Sequence, residues 1–256
     1  MGKISFSEIK IHCSSLSKLT TEPKLKEDKL AGNLSATAKS HLIEIYAEKL
    51  FDFKKELDNK YVRKGNEVEA EAIEELGMIL KLPLEKNQET FSNGHLTGTP
   101  DICFNGIILD TKCSYDWISY LKNLDGDLDA TYEAQMQGYL DLLGYTKGYI
   151  AYLLLDTPID QIQFEHSKLL RSMNVISEES PEFIKAWEEK EKSLIFSNQP
   201  IEDRILLFEV NYDVDFVYNA KKKVEKSREF LEDFYNKHKS FNQNTIKNII
   251  HETTKH

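Results

Sequence analysis

The chain has 256 residues, 40% of them hydrophobic and 11% aromatic, so it is long and apolar enough to bury a substantial core. A formal charge of −10 argues against broad non-specific attraction to nucleic acid, while leaving room for a local basic groove. No apolar run approaches the roughly 20 residues that a membrane helix needs, and the opening stretch MGKISFSEIKIHCSS lacks the apolar core and small-residue cleavage site of a secretory signal; both predict a cytoplasmic protein.

The first thirty residues carry no clear period and read as irregular, with a loop at 20–23. Helical periodicity starts near Ser35, runs through Leu42, Ile45, Tyr46, Leu50 and Phe51, and dissolves in the charged stretch from Lys54 to Lys60. A second helix follows Gly65, with Val68, Ala72, Ile73, Leu76, Ile79 and Leu80 on one apolar stripe. Glu69 falls inside that stripe, whereas Glu67, Glu71, Glu74 and Glu75 fall outside it. An inward carboxylate is costly unless protonated, paired or bound to a metal. The other reading is an edge residue that reaches water past its neighbours.

Leu82 to Asn93 is a Pro-containing loop or edge strand, and Gly94 to Pro100 a turn-rich approach to the most informative feature of the chain. Asn105-Gly106 lies between Ile102-Cys103-Phe104 and Ile107-Ile108-Leu109, the signature of a two-residue β-hairpin. Pairing outward from the turn sets Phe104 opposite Ile107, Cys103 opposite Ile108, Ile102 opposite Leu109 and Asp101 opposite Asp110. Directly opposed residues have Cβ atoms about 5 Å apart, and like charges there repel unless something positive lies between them. A divalent cation would serve. Lys112 emerges on the same face as Asp110, one step along the strand.

Beyond the hairpin, Ser114 to Asp129 reads as a loop with a short helical piece, and Ala130 to Leu143 as a helix capped by Gly144. Tyr149 to Leu155 is a buried inner strand stopped by Asp156-Thr157-Pro158. Ser180-Pro181 opens an acidic helix, Ile205 to Val210 is a further strand, and Val214 to about Lys239 a long charged helix. Strands alternating with helices predict an α/β fold with a mixed sheet covered on both faces, in one domain spanning 1–256. Basic clusters at Lys54-Lys55, Lys60, Arg63-Lys64 and at Lys221 to Lys223, Lys226 and Arg228 are read first as solvated helix faces, with nucleic-acid contact as the alternative. Cys13, Cys103 and Cys113 form neither an even disulfide set nor a CxxC pair and are read as reduced, packed thiols.

The hairpin patch suits hydrolysis of a phosphodiester by metal-activated water. Asp101 and Asp110 would hold the ion, the backbone carbonyl of Thr111 could point at it, and Glu69 would bring a third carboxylate. Lys112 could orient or deprotonate the water, or offset charge on the phosphate. Magnesium or manganese fits such an oxygen-rich set better than zinc. The bland alternative is a surface hairpin whose polar ends happen to be Asp, Asp and Lys.

These residues resemble a known family. Thr99-Pro100-Asp101 followed by Asp110-Thr111-Lys112 looks like the PD-(D/E)xK nuclease signature, and Gly65 to Glu69 like its preceding GxxxE helix motif. Ala134-Gln135-Met136-Gln137-Gly138-Tyr139 looks like the Gln-bearing helix that follows, in the QxxxY form of RecB-type nucleases. Order and spacing are most similar to the lambda-exonuclease or YqaJ-like branch, as is the Lys112-Cys113 pair, and Ile4 to Ile9 is similar to that branch's ITASEV segment.

The resemblance implies a restriction-endonuclease-like fold, with a core at about 35–156 and a C-terminal strand and long helix at about 200–240. It implies Asp101 and Asp110 as metal ligands, Lys112 as catalytic lysine, Glu69 as the helix acid and Gln135 as a polar partner near Lys112. It also implies 5′-to-3′ exonuclease action on linear double-stranded DNA, often by a ring-shaped homo-trimer, with a single-strand annealing recombinase as partner in phage-type recombination. Ser7 and Thr99 match two hydroxyl positions of a 5′-phosphate pocket. Two arginines of that pocket do not carry over: one would precede Met1, leaving Lys3 as a stand-in, and the other falls near Ile118. Related nucleases with iron-sulfur clusters need four cysteine ligands, one more than the chain has. Two other readings remain beside the exonuclease: an endonuclease on the same core, and a catalytically silent module that binds DNA ends or a protein.

Overall fold

The computed structural model describes residues 5–55, 59–175 and 177–253, with backbone alone for 242–245 and 248–253. Ile4 and Lys3 of the N-terminal segment lie outside the described residues. In chain order the elements are β1 (Ile11–His12), α1 (Leu16–Thr20), α2 (Lys26–Leu30), α3 (Ala36–Phe51), α4 (Lys60–Leu80), β2 (Phe91–Ser92), β3 (Leu96–Gly98) and β4 (Ile102–Phe104). There follow β5 (Ile107–Cys113), α5 (Trp117–Asp125), α6 (Ala130–Leu143), β6 (Lys147–Leu153), α7 (Ile159–Met173), α8 (Pro181–Glu191), β7 (Ile205–Asn211) and α9 (Val214–Thr253). They form two compact units, one of Met1–Lys55, Phe91–Gly98 and Asp213–His256, the other of Glu56–Thr90 and Thr99–Tyr212. Among the described residues no helix is long and apolar enough to cross a membrane.

The first unit holds a small mixed sheet in the order β1-β3-β2. Its aromatic core stacks Phe6 on Tyr46 at 5.6 Å and sets Phe234 edge-on to Tyr46 at 4.9 Å. Part of the second basic cluster is structural rather than solvated. Lys223 is buried, and its ammonium donates to the carbonyls of Thr20 and Thr21 and to Glu22, tying α9 to the loop after α1. Lys226 donates to the Ala31 carbonyl.

The second unit is built on a mixed sheet ordered β4-β5-β6-β7, with β4 antiparallel to β5, β5 parallel to β6 and β6 antiparallel to β7. Side-chain alternation divides its faces. Leu109, Ala151 and Leu153 turn toward α4 and pack with its Val68, Ala72, Ile73 and Leu76. The alternate residues turn the other way, where α6 brings Tyr132 to 6.0 Å from Tyr152. Helices therefore cover both faces, as the alternation of elements predicts.

At Gly148 in β6 the Met136 side chain of α6 packs directly on the strand, and a Cβ there would overlap the Met136 thioether. Gly148→Ala is expected to destabilise the protein by about 1–3 kcal/mol, as overpacking a tight core does, read as a lower urea midpoint. An unchanged midpoint would mean that Met136 swings aside without cost.

Several boundaries differ from the sequence reading. The helix predicted after Gly65 begins at Lys60, because the Asn59 side chain caps it by accepting from the amides of Tyr61 and Val62. One turn earlier than expected, the helix buries Lys64, so the first basic cluster is not all solvated. The irregular start contains β1 and two five-residue helices, too short to show a period. The approach to the hairpin contains β3, and α9 extends to Thr253.

Candidate active site

The hairpin forms in the predicted register, with Ile102 opposite Leu109, Cys103 opposite Ile108 and Phe104 opposite Ile107. Asn105 (φ 48°) and Gly106 (φ 82°) supply the paired left-handed turn that two-residue hairpins require. The ladder stops one pair short of expectation. Asp101 leaves the strand, and its carboxylate Oδ2 accepts the Thr111 amide at 2.7 Å and the Thr111 hydroxyl at 3.0 Å. A side chain thus takes the place of the next strand residue. Asn87 holds the departing segment, its amide donating to the Asp101 carbonyl at 2.7 Å and its side chain to Pro100 at 2.9 Å. In an extended strand the amide and carbonyl of one residue leave on the same side, so the Thr111 carbonyl points at this same edge, beyond the end of β4.

Asp110 and Lys112 share a face of β5, and their tips meet at 2.5 Å. Asp110 is 2% exposed, and its second oxygen, Oδ1, is buried with no hydrogen-bond partner. Burial pushes the Asp110 carboxyl up to about 6, against the pull of Lys112 and with the added repulsion of Asp101 and Glu69. Burial likewise raises Asp101 against the pull of Lys112 and the Thr111 donors. For Lys112 desolvation works against the charge, but Asp110 and Asp101 outweigh it and the ammonium is raised. The Lys112 ammonium also lies 4.9 Å from the centre of the Tyr132 ring.

A cavity of about 690 Å³ opens here, lined by Asp101, Thr111, Lys112 and Tyr132, by Glu69 of α4, and by Tyr115 and other residues of the segment leading into α5. Glu69 arrives from the opposite face of the sheet, and its carboxylate is held by Lys86 at 2.5 Å. Among the described residues no three His, Cys, Asp or Glu side chains converge as a full metal cage would require. What the site offers instead is Asp110 Oδ1 without a donor, the outward Thr111 carbonyl and Asp101, an oxygen set suited to a hard divalent ion. Burial pushes the neighbouring Cys113 thiol up to about 12.

Gln135 and Thr99 lie outside the lining of this cavity. Gln135 is buried, and its amide donates to the Tyr139 hydroxyl at 2.8 Å, which in turn donates to the Thr99 carbonyl. It braces the segment before Asp101 and does not line the cavity. The Thr99 hydroxyl is bonded to that of Thr90 at 2.8 Å. Ser7 lies in the first unit, exposed, its hydroxyl bonded to that of Ser5. Tyr132, which reads from sequence as a core aromatic, lines the cavity, and its placement one turn before Gln135 on α6 is the signal that could have marked it. Asn87 and Lys86 carried no signal, because they lie in a stretch without period.

No family model and no curated protein matches the chain. Solved structures do. A phage-related exonuclease from Haemophilus somnus 129PT is 31% identical, with a TM-score of 0.72, over 90% of this chain and 97% of that one. This chain belongs to the same family, the lambda-exonuclease-like phage exonucleases of the PD-(D/E)xK superfamily. An alkaline exonuclease from Laribacter hongkongensis shares the fold at 12% identity and a TM-score of 0.62, over 93% of this chain and 96% of its own. The same enzyme solved with dAMP matches at 13% identity and a TM-score of 0.59, over 91% and 94%. Membership supports a hydrolytic nuclease role for the chain.

Proposed function

We propose that the chain is a metal-dependent exodeoxyribonuclease that degrades linear double-stranded DNA from 5′ to 3′ in phage-type recombination. The observation that carries the chemistry is the buried, unpartnered Oδ1 of Asp110 beside Asp101. An anionic oxygen is costly to bury without a donor, and a divalent cation is the partner that would offset that cost. Asp110, Asp101 and the Thr111 carbonyl would hold magnesium or manganese, and Glu69 would join after exchanging its pairing with Lys86. When bound, such an ion polarises the scissile phosphate and lowers the pKa of water. Lys112, beside the two aspartates, would position the attacking water and offset charge growing on the phosphate. Tyr132 confines the Lys112 ammonium from the side of α6. Gln135, through Tyr139, fixes the Thr99 carbonyl and with it the approach to Asp101. Family membership supports the exonuclease reading, the single-strand annealing recombinase as partner and a homo-trimeric assembly.

The test is incubation of the purified protein with end-labelled linear duplex, with and without magnesium. Lys112→Ala should reduce digestion by about 10³-fold or more, several kcal/mol of lost transition-state stabilisation, with the fold and metal-free DNA binding retained. Full activity of that variant would refute the role given to Lys112. Nicking of a closed circle by the wild type would replace exonuclease action with an endonuclease on the same core.

A further inference from the structure

A second cavity, of about 440 Å³, lies in the same unit beside the first, and Tyr115 lines both. Lys60 and Arg63 from the first turn of α4 and Lys168 from α7 bring three cations to it. Thr157, Asp160 and Gln161 bring to it the start of α7, a 15-residue helix whose N-cap, Pro158, makes no side-chain capping bond to the first-turn amides. Thr157 also lines it, 4% exposed, with a buried hydroxyl oxygen that has no hydrogen-bond partner.

Two carboxylates lie in the lining. Glu165 is paired with Lys190 at 3.0 Å, and Asp160 sits in the first turn of α7. Gln161 donates to Glu67 at 3.0 Å. With Glu165 paired to Lys190, Lys60 and Lys168 alone outnumber the remaining acid of the lining, Asp160, by one. Uncapped helix amides, an unsatisfied buried hydroxyl and a cationic rim together are the chemistry that recognises a phosphate. Exposed Phe164 borders the cavity as well, an aromatic face on which a base could stack.

We propose that this cavity binds a phosphate group, through Lys60, Arg63, Lys168, the Thr157 hydroxyl and the first amides of α7. The shared wall at Tyr115 favours a backbone phosphate of the DNA strand whose scissile bond lies at Asp110; that choice of source rests on the nuclease reading above, whereas the phosphate site itself does not. A free phosphate or nucleotide product would present the same chemistry.

The experiment uses the full chain in EDTA, so that binding is read without cleavage. Duplex DNA affinity is measured against salt, and inorganic phosphate is titrated with 31P line broadening as readout. Lys60→Gln/Lys168→Gln should weaken DNA binding by about 10-fold and flatten the slope of log affinity against log salt by one to two, since each neutralised phosphate contributes about 0.9. Thr157→Val should weaken binding by a few-fold while leaving the melting temperature unchanged or higher, because the hydroxyl it removes has no partner. Loss of inorganic phosphate binding with normal DNA affinity would assign the site to free phosphate. Unchanged affinity for both probes overturns the proposal, as does an equal loss from Lys185→Gln/Lys192→Gln, on and just after the acidic helix α8, which would make the effect one of net charge. Absence of wild-type cleavage in a parallel magnesium assay would sink the nuclease reading and leave the phosphate titration standing.

Discussion

Asp110→Asn is expected to abolish both magnesium-dependent digestion and the thermal stabilisation that the metal confers. The wild-type carboxylate is almost wholly buried, with one oxygen on Lys112 and the other on nothing. A ligand that binds only the folded state stabilises it by RT ln(1 + [L]/Kd), about 2.7 kcal/mol at a hundredfold excess over Kd. For a chain of this size that corresponds to a rise in melting temperature of roughly 5–10 °C. The amide keeps the shape of the side chain and removes its charge, so this shift should vanish, and digestion should fall by about 10³-fold or more. Differential scanning calorimetry of both proteins with and without manganese measures the first effect, and the end-labelled duplex assay the second. A variant that keeps the metal-induced shift but loses activity would move the metal from Asp110 to Asp101 and Glu69. A wild type without any shift would remove the metal from the site altogether.

The centre of this site was legible because three local rules agree there. Asn105-Gly106 sets the register, alternation puts Lys112 beside Asp110, and the apolar run into Asp110 marks an inner strand. What the hairpin rule missed is the exit of Asp101 from the ladder. Nothing in the local pattern reveals that Asn87, fourteen residues upstream, holds the Asp101 carbonyl. Glu69 was placed on the right helix, yet its pairing with Lys86 depends on a loop that no periodicity describes. The direction Gln135 faces was not legible for a different reason. On α6 every residue from Ala134 to Leu140 is buried, so a helical wheel could not separate a face toward the chemistry from a face toward the core. The helix α7 was overlooked entirely, because Asp156-Thr157-Pro158 reads as the end of a strand and less readily as the uncapped start of a helix.

Lys64 provides the second large effect, and its sign depends on pH. Its side chain is buried, with the ammonium donating to the Tyr115 carbonyl at 3.0 Å and lying 4.8 Å from the centre of the Phe196 ring. Burial lowers its pKa to about 8, and the groups that face it, Cys113, Asp156, Asp116 and Glu71, only partly restore it. In the unfolded chain the same amine titrates near 10.4. Between these values the unfolded state holds the proton and the folded state releases it, so the contribution of Lys64 to stability rises with pH across about 8 to 10.4 and is least below 8. At about 1.4 kcal/mol per unit the full span is on the order of 3 kcal/mol. Lys64→Met removes the titration while filling the same volume, and it forfeits the bond to Tyr115 equally at every pH. The stability of Lys64→Met relative to wild type should therefore be most favourable at pH 7 and decline by about 2–3 kcal/mol by pH 10. Urea denaturation of both proteins at pH 7, 8, 9 and 10 measures that difference, in which titrations common to both cancel. A difference that stays flat would mean that Lys64 is charged in the fold throughout.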